Sequence, residues 1–318
     1  SELLEARKRK IPVMPRAEML AETMRMKRSI VVAGTHGKTT TSAMITTILL
    51  RAGHDPTAVI GGRLKQISGN AKMGTDEWFV AESDESDGSF LKLLPTIAAI
   101  TNIDREHLDH YGSYAKLEQA FVDFGNRVSF DGIVAVCVDD PGVCAVLSLI
   151  EKPVVTYGID QKADFQAVNI ELKMSGSRFW IVRGDEKFGP VNLPIAGRHN
   201  IWNALASFVI SLHIGVDPQK AIEGLETFSG IDRRLEFKGE ANHIRVFDDY
   251  AHHPTEICAT IEAVRLMNPK GGVRILFQPH RFSRVGDLWD RFLSAFDRAD
   301  EVVITPIYAA SEKPIAGI

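Results

Sequence analysis

The sequence predicts an α/β protein: a mostly parallel central sheet carried by a larger domain, followed by a smaller α/β domain. Three observations lead there. Apolar, β-branched runs of strand length alternate with segments of helix length, the pattern of βαβ units covered on both faces. Polar residues gather after the carboxyl ends of these strands, where open α/β sheets place ligands. A chain of 318 residues also exceeds what one hydrophobic core ordinarily serves.

Taken in order, residues 1–10 are polar, basic and helix-prone, and they end at Ile11-Pro12; residues 1–14 read as a linker from something that precedes them. An amphipathic helix is expected over 16–28. The run 30–32 reads as a buried strand, Gly34 and Gly37 as a tight loop, and 38–51 as a helix. This is a phosphate cradle formed by Gly34, Thr35, His36, Gly37, Lys38, Thr39 and Thr40. Glycines admit an anion to backbone N–H groups, and the helix N-terminus adds partial positive charge. Lys38 reaches the outer phosphates, and the Thr39 hydroxyl is placed for Mg²⁺. The general P-loop pattern has a glycine where this chain has Val32, which leaves a plain strand-to-helix turn as the alternative.

Strands are expected at 57–60 and 78–83, with a loop containing Gly and Asn between them. The second strand runs into an acidic cluster of Glu82, Asp84, Glu85 and Asp87. Such a cluster serves solubility in some proteins; at a strand's carboxyl end it also suits Mg²⁺, which prefers oxygen ligands. The strand 96–100 ends near Asp104, His107, Asp109 and His110, and His107 is the member placed to join a metal and phosphate site. Helices at 116–128 and after Asp139, with a strand at 133–138, continue the alternation. From Val154 onward, shorter strands at 165–172, 178–183 and 188–193 suggest an antiparallel extension. His199, Asn200 and Asn203 fall within the first turn of a long apolar helix, 201–212, where such side chains either cap the helix or read an adenine edge.

A helix at 218–227 ends the larger domain, set at 15–230, and 231–318 forms the smaller one. There a strand from Val246 runs through Asp248-Asp-Tyr-Ala-His-His-Pro254 into a helix ending at Met267. The strand 273–277 precedes Gln278-Pro-His-Arg-Phe-Ser-Arg284, a helix follows at 288–299, and 302–305 is the last strand.

Composition narrows the function. A net charge of −4 carries no basic excess, which excludes nucleic acid as a main partner. No apolar run is long enough to span a bilayer, so no membrane insertion is expected. Three scattered cysteines without C-x-x-C spacing fit a reducing cytoplasm rather than a disulfide framework or zinc site.

Together these segments resemble the Mur ligases of peptidoglycan synthesis. The resemblance rests on six ordered motifs: Gly34-Thr-His-Gly-Lys-Thr39, Ala81 to Asp87, Thr101-Asn-Ile with His107, Gly197-Arg-His-Asn200 through Asn203, Asp248 to Glu256, and Gln278 to Arg284. It implies a P-loop-type central ATPase domain, a Rossmann-like second domain, and ATP and Mg²⁺ as cofactors. It further implies UDP-N-acetylmuramate and L-alanine as substrates, with an acyl-phosphate intermediate, in a monomer or weak homo-oligomer. The Arg281-x-x-Arg284 stretch points to the alanine-adding branch, as does the absence of lysine from 118–124, where several sister ligases carry a carbamylated one.

By the same resemblance, Lys38, Glu82, His107 and His252 are catalytic, and Thr39, Glu82 and His107 hold metal. His199, Asn200 and Asn203 contact adenine, Arg234 and Asp249 approach the nucleotide, and Tyr250, His252, Arg281 and Arg284 form the amino-acid side. His253 and His280 are expected to be structural. Family members carry an N-terminal UDP-binding domain, which the residues before Pro15 do not supply, and the C-terminal domain is expected to be truncated. Other Mur-type ligases, tripeptide-recycling or folylpolyglutamate-like, remain alternatives, as does a P-loop module without ligase activity.

Overall fold

The computed structural model describes residues 2–173 and 176–318. In chain order, helices α1 (Glu2–Lys8) and α2 (Arg16–Met24) precede β1 (Arg28–Ala33), α3 (Lys38–Arg51), β2 (Thr57–Leu64), β3 (Gly69–Lys72), β4 (Trp78–Glu82) and β5 (Ile97–Ile100). Next come α4 (Leu108–Tyr111), α5 (Tyr114–Asn126), β6 (Val134–Cys137), α6 (Pro141–Val146), β7 (Val154–Gly158), β8 (Phe165–Lys173), β9 (Gly176–Arg183) and β10 (Glu186–Leu193). Helices α7 (Arg198–His213) and α8 (Pro218–Glu226) follow, then β11 (Glu236–Ala241), β12 (Ile244–Asp248), α9 (Pro254–Met267), β13 (Arg274–Phe277), α10 (Phe282–Asp287), α11 (Trp289–Ala295) and β14 (Glu301–Ile304).

β1 to β10 form one sheet in the order β10-β9-β8-β7-β6-β5-β1-β4-β2-β3. The seven strands from β8 to β2 in that order are mutually parallel; β3, β9 and β10 pair antiparallel. β1 is central, and its buried run from Ile30 to Ala33 is apolar because it feeds two cores. Ile30 and Val32 pack with α3, α7 and α8 on one face, while Val31 and Ala33 pack with α2 and α5 on the other. Alternation of side chains along a strand dictates that division. The sheet reverses its winding around β1, leaving a crevice at the carboxyl ends of β4, β1 and β5.

The second unit is smaller and thinner. It has an antiparallel pair, β11–β12, a parallel pair, β13–β14, and a compact apolar cluster of Ile257, Ile261, Phe277 and Ala295.

Four local expectations change. The segment read as a loop between the second and third strands contains β3, because β2 runs on through Gly61-Gly62 to Leu64 and doubles back. The antiparallel extension starts at β9, not β7: β7 and β8 are parallel additions to the main sheet. The helix expected over 16–28 stops at Met24, since Arg28 already begins β1. The helix expected over 288–299 is shorter, with α10 ahead of it drawing Phe282 to Arg284 into helical conformation.

Close helix approach explains one glycine. A Cβ on Gly224 of α8 would lie 2.6 Å from the Ile48 Cα of α3. Gly224→Ala is expected to lower stability by about 2 kcal/mol through overpacking, read from urea unfolding.

Candidate active site

The phosphate loop leaves β1 with Gly34 at φ +131° and enters α3 with Gly37 at φ +82°. Both conformations favour glycine, and both sites are crowded: a Cβ on Gly34 would meet the Thr101 Oγ1 at 2.1 Å, and one on Gly37 the Asn203 Oδ1 at 2.5 Å. α3 has no side-chain cap, so its first N–H groups are presented by the loop rather than consumed by it.

The Lys38 Nζ donates to the Gly34 carbonyl (2.5 Å), the Thr35 carbonyl (3.1 Å) and the Glu85 Oε2 (2.8 Å). Burial opposes its charge, but Glu85, Asp84 and Glu82 more than compensate and raise its pKa. Glu85 is 2% exposed, and burial pushes its carboxyl up to about 7 against the pull of Lys38. Glu85 was visible in the acidic cluster, but nothing in the spacing marked it as the partner of the loop lysine.

Glu82 ends β4, in register with Val32 of β1. Its Oε2 is buried without a hydrogen-bond partner. Gly61 and Gly62 of β2 lie alongside: added Cβ atoms would fall 1.8 Å from the Glu82 Oε1 and 3.1 Å from the Thr39 Cγ2. Two consecutive glycines thus keep open the space bordered by Thr39 and Glu82. An unpartnered carboxylate oxygen next to a hydroxyl is a donor set that suits Mg²⁺.

His107 reaches the same place from β5. Its Nε2 lies 3.9 Å from both the Glu85 Oε1 and the Glu106 Oε1. Burial lowers its pKa, which favours the neutral, ligand-competent ring. Its backbone is left-handed, φ +58°. Asp84, Glu85 and His107 bring potential ligand atoms within 4.8 Å of one another. Lys38, Glu82 and His107 therefore share one crevice.

A cavity of about 240 Å³ opens beside the loop, lined by Gly37, Thr40, Asn200 and Asn203 on one side and by Arg234 and Asp249 on the other. Tyr157, Phe228 and Ile231 give it an apolar floor. His199 lies here with its pKa lowered to about 4 by burial, hence neutral. Asn203 is partly structural, accepting from the Thr41 Oγ1 (3.2 Å) and donating to the Asn200 Oδ1 (3.3 Å). The Asp249 carboxylate takes the backbone N–H groups of Leu235 (2.6 Å) and Ala251 (2.7 Å). Arg234 approaches the Glu256 Oε1 at 3.9 Å.

A second cavity, about 250 Å³, is lined by His107 and Glu106 from the first unit and by Arg281, Arg284 and Arg291 from the second. The Arg284 Nε and Nη2 both hold the Glu106 Oε1, at 2.8 and 2.5 Å, and this pair draws Glu106 down to about 2 despite its burial. Arg281, at φ +71°, is exposed, and among the described residues its guanidinium makes no hydrogen bond. The His252 Nδ1 lies 2.8 Å from the Tyr250 carbonyl, and its ring is 5.8 Å from that of His280. His253 is fully buried and caps α9 through a capping box with Glu256.

Across this geometry, residues 32–211 match the Mur ligase middle domain and residues 233–317 the Mur ligase, glutamate ligase domain. The chain belongs to the Mur ligase family. Among the similar members, a UDP-N-acetylmuramate–L-alanine ligase of Anaeromyxobacter dehalogenans is 49% identical over 316 residues, 99% of this chain and 69% of its own. One of Desulfosudis oleivorans is 49% identical over 317 residues, with 100% and 69% covered. In structure, the chain resembles the UDP-N-acetylmuramate-alanine ligase of Thermotoga maritima with a TM-score of 0.83 at 29% identity, covering 96% of this chain and 68% of that one. It also resembles a murein peptide ligase of Psychrobacter arcticus, TM-score 0.74 at 26% identity, with 95% and 68% covered. Membership in this ligase family sets aside the P-loop module without ligase activity.

Breaking the buried Lys38–Glu85 pair from one side leaves an uncompensated charge. Glu85→Gln is expected to cost about 3 kcal/mol of stability in urea unfolding without nucleotide.

Proposed function

We propose that this chain is an ATP-dependent ligase that joins L-alanine to the carboxylate of UDP-N-acetylmuramate through an acyl phosphate, in peptidoglycan precursor synthesis. The observation that carries the reading is the meeting of Lys38, Glu82 and His107 at the carboxyl ends of three adjacent parallel strands, in a family whose 49%-identical members bear that ligase's name. Central residues 15–230 bind ATP, and residues 231–318 bring the amino acid. The three free cysteines accord with a reducing cytoplasm.

In this reading the triphosphate lies along the loop from Gly34 to Thr40, and Lys38 exchanges part of its contact with Glu85 for the γ-phosphate. Thr39 and Glu82 would hold one Mg²⁺ and His107 would help to hold a second, and bound Mg²⁺ would supply charge neutralisation at the transferring phosphoryl group. Adenine occupies the apolar-floored cavity, with Asn200, Asn203 and neutral His199 at its edge. Arg234 and Asp249 close it from the second unit, Asp249 by fixing the loops at Leu235 and Ala251.

The muramate carboxylate then attacks the γ-phosphorus and displaces ADP. The alanine amine next attacks the acyl carbon, phosphate leaves, and the amine gives up a proton. His252, neutral because burial lowers its pKa, receives it in this reading, supported by the influence of Arg284 and Glu106 on its ring. Arg281 offers an unoccupied guanidinium to the alanine carboxylate, while Arg284, already on Glu106, sets the wall of the cavity, with Tyr250 next to His252. Catalysis rests on positioning and cation clamps, not a covalent nucleophile.

The deciding experiment measures ADP release with ATP, Mg²⁺ and UDP-N-acetylmuramate. Release that depends on L-alanine is expected; release that depends instead on a tripeptide, or on no amino acid, overturns the assignment. Lys38→Ala and Glu82→Gln should each lower kcat on the order of 10³-fold. Arg281→Ala should chiefly raise the KM for alanine, leaving that for ATP unchanged.

A further inference from the structure

His36 belongs to the phosphate loop, yet both nitrogens of its ring are taken up by carboxylates. The Nε2 lies 3.3 Å from the Asp104 Oδ2, and the Nδ1 lies 3.2 Å from the Glu256 Oε1. Asp104 follows β5 of the first unit; Glu256 stands in the first turn of α9 in the second. We propose that His36 is a positioning residue that ties the shape of the phosphate loop to the seating of α9, so that nucleotide capture and closure of the second unit are one event. The inference rests on the ATP site described above and adds to it a coupling that the phosphate contacts alone do not supply.

The mechanical linkage is explicit on both sides. The backbone of His36 is pinned: its N–H donates to the Asn102 Oδ1 (2.8 Å), and its carbonyl accepts from the Thr101 Oγ1 (2.6 Å) and Asn102 Nδ2 (3.0 Å). With the backbone so fixed, the ring's position is referred to that of the loop, and its two carboxylate contacts hold its orientation. Across the junction, Glu256 uses one oxygen for His36 and the other for the backbone N–H groups of His252 (3.1 Å) and His253 (3.3 Å). One carboxylate thus grips the loop while it caps the helix, and His252, assigned above to the amino-acid side, sits on the turn it holds.

Asp104 completes the clamp, accepting from the Thr255 Oγ1 (2.6 Å) and from the Arg291 Nη1 (2.8 Å) and Nη2 (3.2 Å), both of the second unit. The groups facing the His36 ring are Asp104, Glu256, Glu106 and the neutral, buried His253 at 4.7 Å between ring centroids, with Arg291 and Arg234 on the far side of the two carboxylates. A single cation between two acids is a directional tie, since each ring nitrogen donates to one partner only.

The test is a double-mutant cycle of His36→Gln and Glu256→Gln in the full chain. The Glu256→Gln side chain can keep its one carbonyl oxygen on the backbone N–H groups of the capping box, while its amide nitrogen cannot accept from the His36 ring and the charge is gone. Affinity for a non-hydrolysable ATP analogue with Mg²⁺, and the radius of gyration of the complex by small-angle scattering, are the readouts. Each single variant should bind the analogue about tenfold more weakly and expand, and the double variant should be no worse than the weaker single one. Independent losses, about a hundredfold in the double variant, would overturn the coupling.

pH supplies a second arm. The two carboxylates outweigh burial and raise the His36 pKa from 6.5 to about 9, so the tie is complete below about pH 6.5 and is lost as pH rises through about 9. The compact complex of the native chain should therefore expand over that rise, and that of His36→Gln should not; equal responses would refute the proposal. Should His36→Gln fail to fold, Glu256→Gln alone must lose the same pH response. Neither readout requires amide formation, so failure of the alanine assignment would appear separately, as absent alanine-dependent ADP release.

Discussion

A buried ammonium must have an anion, and the contact between Lys38 and Glu85 is the constraint from which the site follows. Neither group tolerates burial alone, so the loop after β1 and the acidic turn after β4 have to be neighbours. The parallel register of β1 with β4 on one side and β5 on the other makes them so, and it brings His107 in from the third strand. Conversely, a pair held by mutual neutralisation is exchangeable for a phosphate, which offers Lys38 an equivalent charge with more oxygens. The free protein thereby keeps Lys38, the cation proposed to bind phosphate, ionised and ordered before any ligand arrives.

Glycine placement serves the same geometry. Gly34 and Gly37 lie where Thr101 and Asn203 crowd the loop, and no side chain caps α3, so its first turn keeps its N–H groups open while those of Thr35 and His36 are used on Asn102. Gly61 and Gly62 act at one remove. A side chain on either would occupy space beside the Glu82 carboxylate or Thr39, so the orphaned Glu82 oxygen reflects a gap that the sheet itself maintains.

Much of this was legible in the sequence because strand periodicity and turn chemistry are local. The run 30–32, the loop glycines and the polar residues after each strand sufficed to place the crevice. What stayed hidden depended on pairing across long separations. Glu85, one methylene longer than Asp84 and Asp87, is the acid of that cluster that folds inward onto Lys38. Glu256 reads as an ordinary capping-box residue until His36, 220 positions earlier, is seen against it. Arg284, expected to face a ligand carboxylate, is held by Glu106 instead, because a guanidinium this buried takes the nearest acid. β3 escaped notice since its strand, Gly69–Lys72, has neither β-branched residues nor apolar alternation; its pairing with β2 decides its conformation.

Polar contacts tie the second unit to the first: Arg284 with Glu106, Arg291 and Thr255 with Asp104, and His36 with Glu256. Its own apolar cluster, around Ile257, Ile261, Phe277 and Ala295, is separate from the two larger ones. Apolar surfaces tolerate many relative orientations with similar energy, whereas a carboxylate met by a guanidinium at hydrogen-bonding distance tolerates few. Because ion pairs of this kind contribute little net stability once desolvation is counted, they fix an orientation without making it permanent. For the proposed reaction, in which the ATP side and the amino-acid side are assigned to different units, that combination is what is needed: an arrangement specific enough to align a carboxylate with a γ-phosphate, and shallow enough to release product.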